Sequence, residues 1–341
     1  EFVSNAAIQF LQNNYEAFAV GEYLYRYPFQ IGVTALLELI YGIFGVQNYI
    51  VFELINLVCI VDIVRMLGKI SEDLFGEETA RIEIVMSMGL LPLFLLSTFV
   101  YGDYIGLFFG IDAIAAVICF LKENKWQKIL QASFWFAGGV AIKNNINVLV
   151  IAAIIVLILY AFVNHKYWVL IWTVELGLMS RMGLDIIMWI YELRMGQPVP
   201  DGIPKIAWIT MSMQETVEGG SASGWYNGYN CSVFADHGYD QKATVAACMV
   251  ELKVRFQYFL HHPRYTLYFF FDKFSSQWNE PTFMSIQTNE WYSRNCEPQS
   301  NLAISLLYGT GRTILTEVMN IYHFLTMLGA AVGLWIQRKD W

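Results

Sequence analysis

Charged residues are scarce in this chain, where Asp, Glu, Lys and Arg make up 15% of 341 residues. Soluble domains usually carry about 25% of them. Hydrophobic residues reach 56% of the sequence, and the mean hydropathy is +0.43. This composition excludes an ordinary soluble domain and predicts an all-α polytopic membrane protein. The net charge of −8 argues against a nucleic acid as a partner.

The motifs of several enzyme classes are also absent from the sequence. It has no Gly-rich nucleotide-binding loop, no Gly-x-Ser-x-Gly elbow and no His-Glu-x-x-His pair. Neither the histidines nor the five cysteines show metal-ligand spacing. Two of the three cysteines in the polar part of the chain could form a disulfide if that part is extracytoplasmic. These three cysteines are Cys231, Cys248 and Cys296.

Long apolar runs are what the sequence has in abundance. A helix needs about 20 residues to cross a bilayer. A further run of 14 residues, 31–44, is too short to cross and contains Glu38, so we expect an interfacial or re-entrant helix there. The seven runs predicted to span are 49–67, 83–101, 104–121, 129–142, 146–163, 167–190 and 314–336.

Lysine and arginine in the short loops give the predicted orientation, because cytoplasmic loops are enriched in both. Four basic connections alternate along the chain and belong to one face, at 65–81, 122–128, 164–166 and 338–339. The opposite face then receives residues 1–30, the turns at Asp103 and Lys143, and the long segment 191–313. We therefore expect a plasma-membrane protein whose active site faces outside.

This topology divides the chain into four predicted parts. They are an outer loop with its interfacial helix (1–48), a bundle of six spans (49–190), an extracytoplasmic α-rich domain or pair of long loops (191–313), and a further span (314–341). Within the third part, residues 240–260 have a helical pattern, since Val245, Met249, Leu252 and Phe256 recur at helical spacing. The chain ends suggest a piece of a longer protein, with spans before Glu1 and after Trp341.

Asp103 and Lys143 are charges at the ends of predicted spans, where they are costly unless they meet water, a partner or a substrate. Asp103 could bind a divalent metal, hold a sugar hydroxyl or act as a base; alternatively it only caps a helix. Lys143 and Asn144 could hold an anionic lipid phosphate, or could form a polar turn. A lysine on the outer face runs against the positive-inside tendency, which favours the functional interpretation of Lys143.

Two aromatic motifs could contact a substrate. In the first, Arg26 lies among tyrosines just before the interfacial helix, and its guanidinium suits a phosphate or pyrophosphate, with Tyr27 stacking on a sugar. The alternative is an ordinary aromatic belt with a snorkelling arginine. In the second, Gln277-Trp278-Asn279-Glu280-Pro281 places a Trp beside an amide and a carboxylate, as carbohydrate-binding sites do. Its alternative is an interfacial Trp. The segment 224–230, Gly-Trp-Tyr-Asn-Gly-Tyr-Asn, has a similar composition.

These motifs, in this order, resemble the GT-C membrane glycosyltransferases of the protein mannosyltransferase and lipid A aminoarabinose transferase type (glycosyltransferase family 39), in their Gram-positive bacterial branch. The resemblance rests on Tyr27-Pro28-Phe29-Gln30 before the interfacial helix, Tyr101-Gly102-Asp103, Lys143 at an outer break, and the Trp278–Glu280 motif. It covers most of the chain.

The resemblance implies transfer of a sugar from a polyprenyl-phosphate carrier to an extracytoplasmic acceptor, with inversion at the anomeric carbon. The acceptor could be a protein, a glycan or a lipid, and membrane lipid is a further partner. Asp103 matches the second acidic position of the family, and Lys143 matches its lysine near the lipid phosphate. The family's catalytic carboxylate is expected at or just before Glu1. No cofactor is certain, although a divalent metal could bind at Asp103. The competing hypothesis is a transporter or flippase for lipid-linked sugars.

Overall fold

The structure is a computed structural model that describes residues 1–215, 223, 225–294 and 300–337. Within these residues it consists of α-helices, three short 3-10 helices and connections, with no β-strand, which confirms the all-α prediction. The helices are α1 Phe2–Leu11, α2 Tyr23–Arg26, α3 Ile31–Phe44, α4 Tyr49–Phe75, α5 Glu77–Gly89, α6 Leu91–Leu95, α7 Asp103–Glu123, α8 Trp126–Ile142, α9 Asn147–Val163, α10 Val169–Met195, α11 Lys205–Met211, α12 Tyr229–Asp236, α13 Gln241–His261, α14 Pro263–Trp278, α15 Ser285–Ser293, α16 Asn301–Tyr308 and α17 Thr310–Gln337.

The chain forms two compact units, each assembled from separate segments. Unit 1 comprises Glu1–Met88, Ser97–Lys205 and Asn230–Val245. Unit 2 comprises Gly89–Leu96, Ile206–Tyr229 and Ala246–Trp341. The four parts predicted from the sequence follow membrane spans rather than compactness, and their boundaries stay a prediction.

Three helices of the described part are long and apolar enough to cross a membrane. They are Asp103–Glu123, Asn144–Val163 and Thr310–Ile336, with mean hydropathies of 2.2, 3.0 and 1.4 in their best windows. They cover the predicted runs 104–121, 146–163 and 314–336. The runs 49–67 and 129–142 are helical as α4 and α8, and the run 167–190 is helical from residue 169 as α10; their crossing stays a prediction.

The apolar run 83–101 is not one continuous helix, and its crossing of the membrane stays a prediction. Helix α5 ends at Gly89, Leu90 is outside any helix, and α6 covers only Leu91–Leu95. Pro92 explains the break, since proline has no N–H to continue a helix and is tolerated in its first turn. The predicted interfacial helix, in contrast, matches α3 at both of its ends.

Unit 1 has a core in which α7, α8, α9 and α10 pack together. Its buried side chains on α7, α8 and α9 mix alanines with larger aliphatic and aromatic residues, and the alanines let the helices approach closely. Members of this core include Ala113, Phe120, Ile129, Ala132, Phe136, Val150, Ala153, Leu157 and Leu176.

Two glycines let neighbouring helices touch the backbone of α8. A Cβ atom on Gly32 of α3 would lie 1.7 Å from the carbonyl oxygen of Ala141. A Cβ atom on Gly183 of α10 would lie 2.1 Å from the carbonyl oxygen of Ala137. No side chain fits at such distances, so these positions require glycine for packing rather than for a special backbone angle.

A partly exposed ion pair ties α10 to the N-terminal part of unit 1. Arg194 donates from both Nη atoms to the Glu38 carboxylate, at 2.7 and 2.9 Å, and to the carbonyl oxygen of Phe10 at 3.2 Å. The hydroxyl of Tyr191 donates to the same carboxylate, and its ring lies 4.8 Å from the guanidinium carbon. Glu38 therefore joins α3 to α10, which explains a carboxylate in the short apolar helix.

Three of the basic connections predicted to share a face meet at one end of the unit 1 helices. Lys122 pairs with Asp73 at 2.9 Å, which joins the 122–128 loop to the 65–81 region. Lys166 donates to the Asn124 side-chain oxygen at 2.7 Å, which brings the 164–166 loop to the same place. The structure thus groups these loops, while the side of the membrane on which they lie stays a prediction.

In unit 2, α15, α16 and α17 follow one another and pack in sequence. Asn289 of α15 donates to the carbonyl oxygen of Leu95 at 2.8 Å, which attaches α6. Glu290 accepts from Arg294 at 3.0 Å and from Arg312 of α17 at 2.8 Å. These two guanidinium groups, Arg294 first, hold the pKa of Glu290 below its usual range.

Candidate functional site

Asp103 is the first residue of α7, and the turn before it depends on a glycine. Gly102 has φ of +77°, in the left-handed region that favours glycine. A Cβ atom there would also lie 2.9 Å from the Cγ2 atom of Ile142. Because Gly102 has no side chain, the segment from Tyr101 to Asp103 can pack against the end of α8. Lys143 is the next residue after that helix. A carboxylate in the first turn is also favourable for α7 through the helix dipole.

Lys143 follows the last residue of α8 and forms an ion pair with Asp103. Its Nζ atom lies 2.7 Å from Oδ1 of Asp103. The Lys143 side chain is 13% exposed and that of Asp103 is 49% exposed, so the ammonium is the more buried member. Gly106, one turn into α7, leaves room for Lys143, since a Cβ on Gly106 would lie 2.6 Å from the Lys143 Cβ. The two span-end charges predicted from the sequence are therefore partners.

Tyr101 completes the surroundings of the ammonium. The Lys143 Nζ atom lies 4.2 Å from the centre of the Tyr101 ring, a favourable cation–π distance. The hydroxyl of Tyr101 accepts a hydrogen bond from Nε2 of Gln30 at 2.7 Å. Gln30 is 7% exposed, and it is thereby connected to Lys143 through one aromatic ring. The predicted site residues Asp103, Lys143 and Gln30 thus lie in one cluster.

The cluster extends to the start of α1 through two tyrosines. The hydroxyls of Tyr23 and Tyr101 lie 2.9 Å apart. The Tyr23 ring stacks on the ring of Phe2, with 5.1 Å between centres and 9° between planes. Tyr101 belongs to the motif that contains Asp103, and Tyr23 is one of the tyrosines around Arg26, but the sequence predicted no contact of either with Lys143. The signal for Tyr101 was its position two residues before Asp103.

Arg26 and Tyr27 lie on the chain segment that leads to Gln30. Unlike Gln30, which bonds to Tyr101, they have described contacts with Glu22, Ile203 and Cys231. The Nε atom of Arg26 donates to the carbonyl oxygen of Glu22 at 3.4 Å, and its guanidinium carbon lies 5.8 Å from the centre of the Tyr27 ring. The carbonyl oxygen of Arg26 accepts from the amide of Ile203 at 3.0 Å. The Tyr27 hydroxyl lies 2.7 Å from Sγ of Cys231.

Cys231 and Cys248 do not form a disulfide with each other. The third cysteine that could take part, Cys296, lies outside the described residues.

Asn144 begins the short 3-10 helix at 144–146 that leads into α9. Its side-chain oxygen and its carbonyl oxygen both accept from Nδ2 of Asn147, at 2.9 Å each. Asn144 is exposed beside the ion pair. This bonding occupies its acceptor groups within the turn, and its side-chain N–H groups are the part suited to an anionic ligand.

The remaining predicted site residues, Trp278 and Glu280, belong to unit 2. Trp278 is the last residue of α14, is 50% exposed, and its ring lies 6.2 Å from that of Phe274. The Glu280 carboxylate accepts from the Thr282 hydroxyl at 2.5 Å, the Thr282 amide at 3.2 Å and the Met284 amide at 2.5 Å. Glu280 therefore shapes the turn that precedes α15.

A metal site is not formed by this chain's own side chains as far as they are described. Within residues 1–215, 223, 225–294 and 300–337, no three His, Cys, Asp or Glu side chains come together to hold an ion. A divalent ion at Asp103 stays a prediction. Comparison with known proteins adds no assignment, since no family model, no curated protein and no solved structure matches the chain.

Proposed function

We propose that this protein is an integral-membrane glycosyltransferase that moves a sugar from a polyprenyl-phosphate carrier to an acceptor outside the cytoplasm, with inversion. The observation that carries the proposal is the Lys143–Asp103 ion pair, 2.7 Å long, at the starts of two helices that are apolar enough to span. An ammonium placed there meets the phosphate of a carrier whose hydrocarbon tail lies in the bilayer.

In the proposed reaction, an oxygen of the acceptor hydroxyl bonds to the anomeric carbon while the bond from that carbon to the phosphate oxygen breaks. The bonding electrons stay on the phosphate, and the hydroxyl proton passes to a base. Lys143 stabilises the charge that grows on the phosphate as the sugar leaves. An ammonium has three N–H donors, so it can contact the phosphate while it donates to Asp103.

Asp103 and Tyr101 give the ammonium its position in this proposal. Asp103 holds Lys143 from one side, and the face of the Tyr101 ring lies on another. The second carboxylate oxygen of Asp103 is available for a sugar hydroxyl or for a divalent ion that also binds the substrate. Because Oδ1 of Asp103 already accepts from Lys143, we assign the proton to another carboxylate.

That base is the carboxylate that the family resemblance places in the first outer loop, at or just before Glu1. The contacts from Phe2 through Tyr23 to Tyr101 lead from this part of the chain to Lys143. Arg26, Tyr27, Gln30 and Asn144 complete the proposed donor site. Arg26 and Asn144 supply further donors to the phosphate, while Tyr27 offers an aromatic face.

A transporter or flippase for lipid-linked sugars is the second candidate, and one observation favours it. Asp62 of α4, bonded to Nε of Arg65 at 2.7 Å, lies against Asp112 of α7. Charges within membrane helices often mark a transport pathway. These groups are midway along their helices, whereas the Lys143–Asp103 pair lies at helix ends.

Reconstitution of the full protein in liposomes with a labelled polyprenyl-phosphate sugar distinguishes the two candidates. We expect the label to move from the lipid to an acceptor in a membrane extract, with inverted anomeric configuration, and Lys143→Met to abolish most of this transfer. Movement of intact lipid-linked sugar between leaflets without any transfer would establish the transporter instead.

A further inference from the structure

Unit 2 contains a cavity of about 400 Å³ lined by both aromatic motifs of its sequence. Trp225 and Tyr226 come from the 224–230 segment, and Ser276 and Gln277 come from the end of α14. The turn after Glu280 closes the cavity with Phe283 and Met284. The volume falls within the range of about 300–1,000 Å³ that is usual for small-molecule sites.

The wall formed by Phe283 is held in an unusual backbone conformation. Phe283 and Met284 have φ of +49° and +60°, which few residues other than glycine adopt. Glu280 accepts three hydrogen bonds from Thr282 and Met284, and these bonds stabilise the turn that contains Phe283. The Phe283 ring also stacks on His323 of α17, with 6.1 Å between centres. Consecutive left-handed residues are characteristic of functional loops.

The residues that line the cavity favour a neutral polar ligand over a charged one. Tyr226 and Phe283 are each 56% exposed and offer ring faces to a ligand. The Gln277 amide both donates and accepts hydrogen bonds, which suits hydroxyl groups. No lysine or arginine is among the lining residues that the structure describes, so a phosphate or carboxylate would find no counter-charge there. Glu280, the one charged lining residue, has both oxygens engaged by its own turn.

We propose that this cavity binds a neutral carbohydrate of one or two rings, with Tyr226 and Phe283 against the sugar C–H groups and Gln277 on its hydroxyls. In this arrangement Glu280 is a positioning residue rather than a ligand contact. The inference goes beyond the proposed transfer reaction, because the cavity lies within unit 2 and requires no lipid phosphate. It would hold for a transferase or a transporter.

Saturation-transfer difference NMR on the full protein in lipid nanodiscs, free of sugar-based detergent, tests the proposal. The probes are methyl hexosides, an N-acetylhexosamine and a neutral disaccharide, compared with glucose 1-phosphate, glucuronate and choline. We expect saturation of ring protons in at least one neutral sugar and none in the charged probes. Preference for choline would make the cavity a cage for quaternary ammonium groups and overturn the proposal; preference for the anionic probes, or no neutral sugar bound, would also overturn it.

Substitutions at Tyr226 locate the binding in the cavity. Tyr226→Ala removes an exposed ring face and should lower the affinity by about tenfold or more, while Tyr226→Phe should retain it. Trp291→Ala is the matched control, since Trp291 is also an exposed aromatic residue of unit 2, at 67%, but is not a lining residue, and affinity should stay within twofold. Equal losses in Tyr226→Ala and Trp291→Ala, or none in Tyr226→Ala, would place the site elsewhere.

Glu280→Gln tests the positioning role. An amide has one acceptor oxygen where the carboxylate has two, so the 280–284 turn should exchange its amide hydrogens faster and bind the sugar more weakly. Loss of affinity without faster exchange would mean that Glu280 contacts the ligand directly and would refute this role.

Discussion

The ammonium of Lys143 and the carboxylate of Asp103, forty residues apart in sequence, form an ion pair of 2.7 Å. The pair joins the end of α8 to the start of α7 and leaves the lysine more buried than the aspartate. Because Asp103 already holds the Lys143 ammonium in place, this side chain loses little conformational freedom when a ligand binds. This preorganisation is what a group that stabilises a leaving phosphate needs.

Replacing Lys143 by Met should lower the rate of sugar transfer on the order of 10²–10³-fold, the usual cost of one such donor. Lys143→Arg keeps the charge and should retain more activity. Lys166→Met is the matched control, because Lys166 also lies over a tyrosine ring, that of Tyr160, at the other end of the bundle. The proposal fails if Lys143→Met turns over within a few-fold of the parent, or if Lys166→Met is equally impaired.

Gly32→Ala should destabilise the protein by about 1–3 kcal/mol, the usual cost of overpacking, because the new Cβ would meet the Ala141 carbonyl oxygen. Gly42→Ala, on the same helix, places its Cβ 3.5 Å from a Leu11 methyl group, an ordinary contact. It should be neutral or slightly stabilising, since alanine favours helices. Denaturation in mixed micelles measures both variants, and similar losses in the two would contradict the close approach of α3 and α8.

Arg194→Met should cost about 2 kcal/mol, because it leaves the Glu38 carboxylate without its charged partner. The Glu38→Gln, Arg194→Met double variant should lose less than the sum of the single changes. Arg181→Met on the same helix breaks an exposed pair with Asp185 and should cost at most about 0.5 kcal/mol. Additive losses in the Glu38–Arg194 cycle would show that the two side chains act independently.

Acid should remove the stabilising effect of Glu290. Since Arg294 and Arg312 lower its folded-state pKa, the stabilisation is complete above the unfolded value of about 4.3 and is lost as pH falls through the folded value. The melting temperature of Glu290→Gln should therefore lie below that of the parent at pH 7, and the gap should narrow as the pH falls below the unfolded value of about 4.3. A gap of the same size across this pH range would exclude this linkage.

Labelling of single cysteines tests the predicted orientation. In a background without native cysteines, Asn145→Cys should react with an impermeant maleimide in whole cells, whereas Lys125→Cys should react only after permeabilisation. Both positions are exposed and lie in unit 1 at opposite ends of α8. The reverse pattern would place the Lys143–Asp103 pair on the cytoplasmic side.

Helix positions could be predicted from the sequence where an apolar run was long and polar or helix-breaking residues marked its ends. The run 104–121 became α7 and the run 31–44 became α3, because long apolar stretches in this composition have few alternatives to a helix. In α13 the helix was predicted correctly from Val245, Met249, Leu252 and Phe256. Three of these are exposed, however, and the buried residues are Thr244, Cys248, Leu252 and Phe259. In so apolar a helix, spacing does not identify the buried face.

Composition and local pattern were enough to show that the chain is helical, that several of its helices are apolar enough to span, and that Asp103 and Lys143 are unusual charges. These properties depend on the residues themselves and on neighbours within a few positions. The pairing of the two charges, the place of Tyr101 under the ammonium, and the cavity shared by Trp225 and Gln277 are found only in the folded chain. Such contacts join residues 40 or more positions apart, and they depend on how helices pack, which glycines such as Gly32 and Gly106 fix through the room they leave.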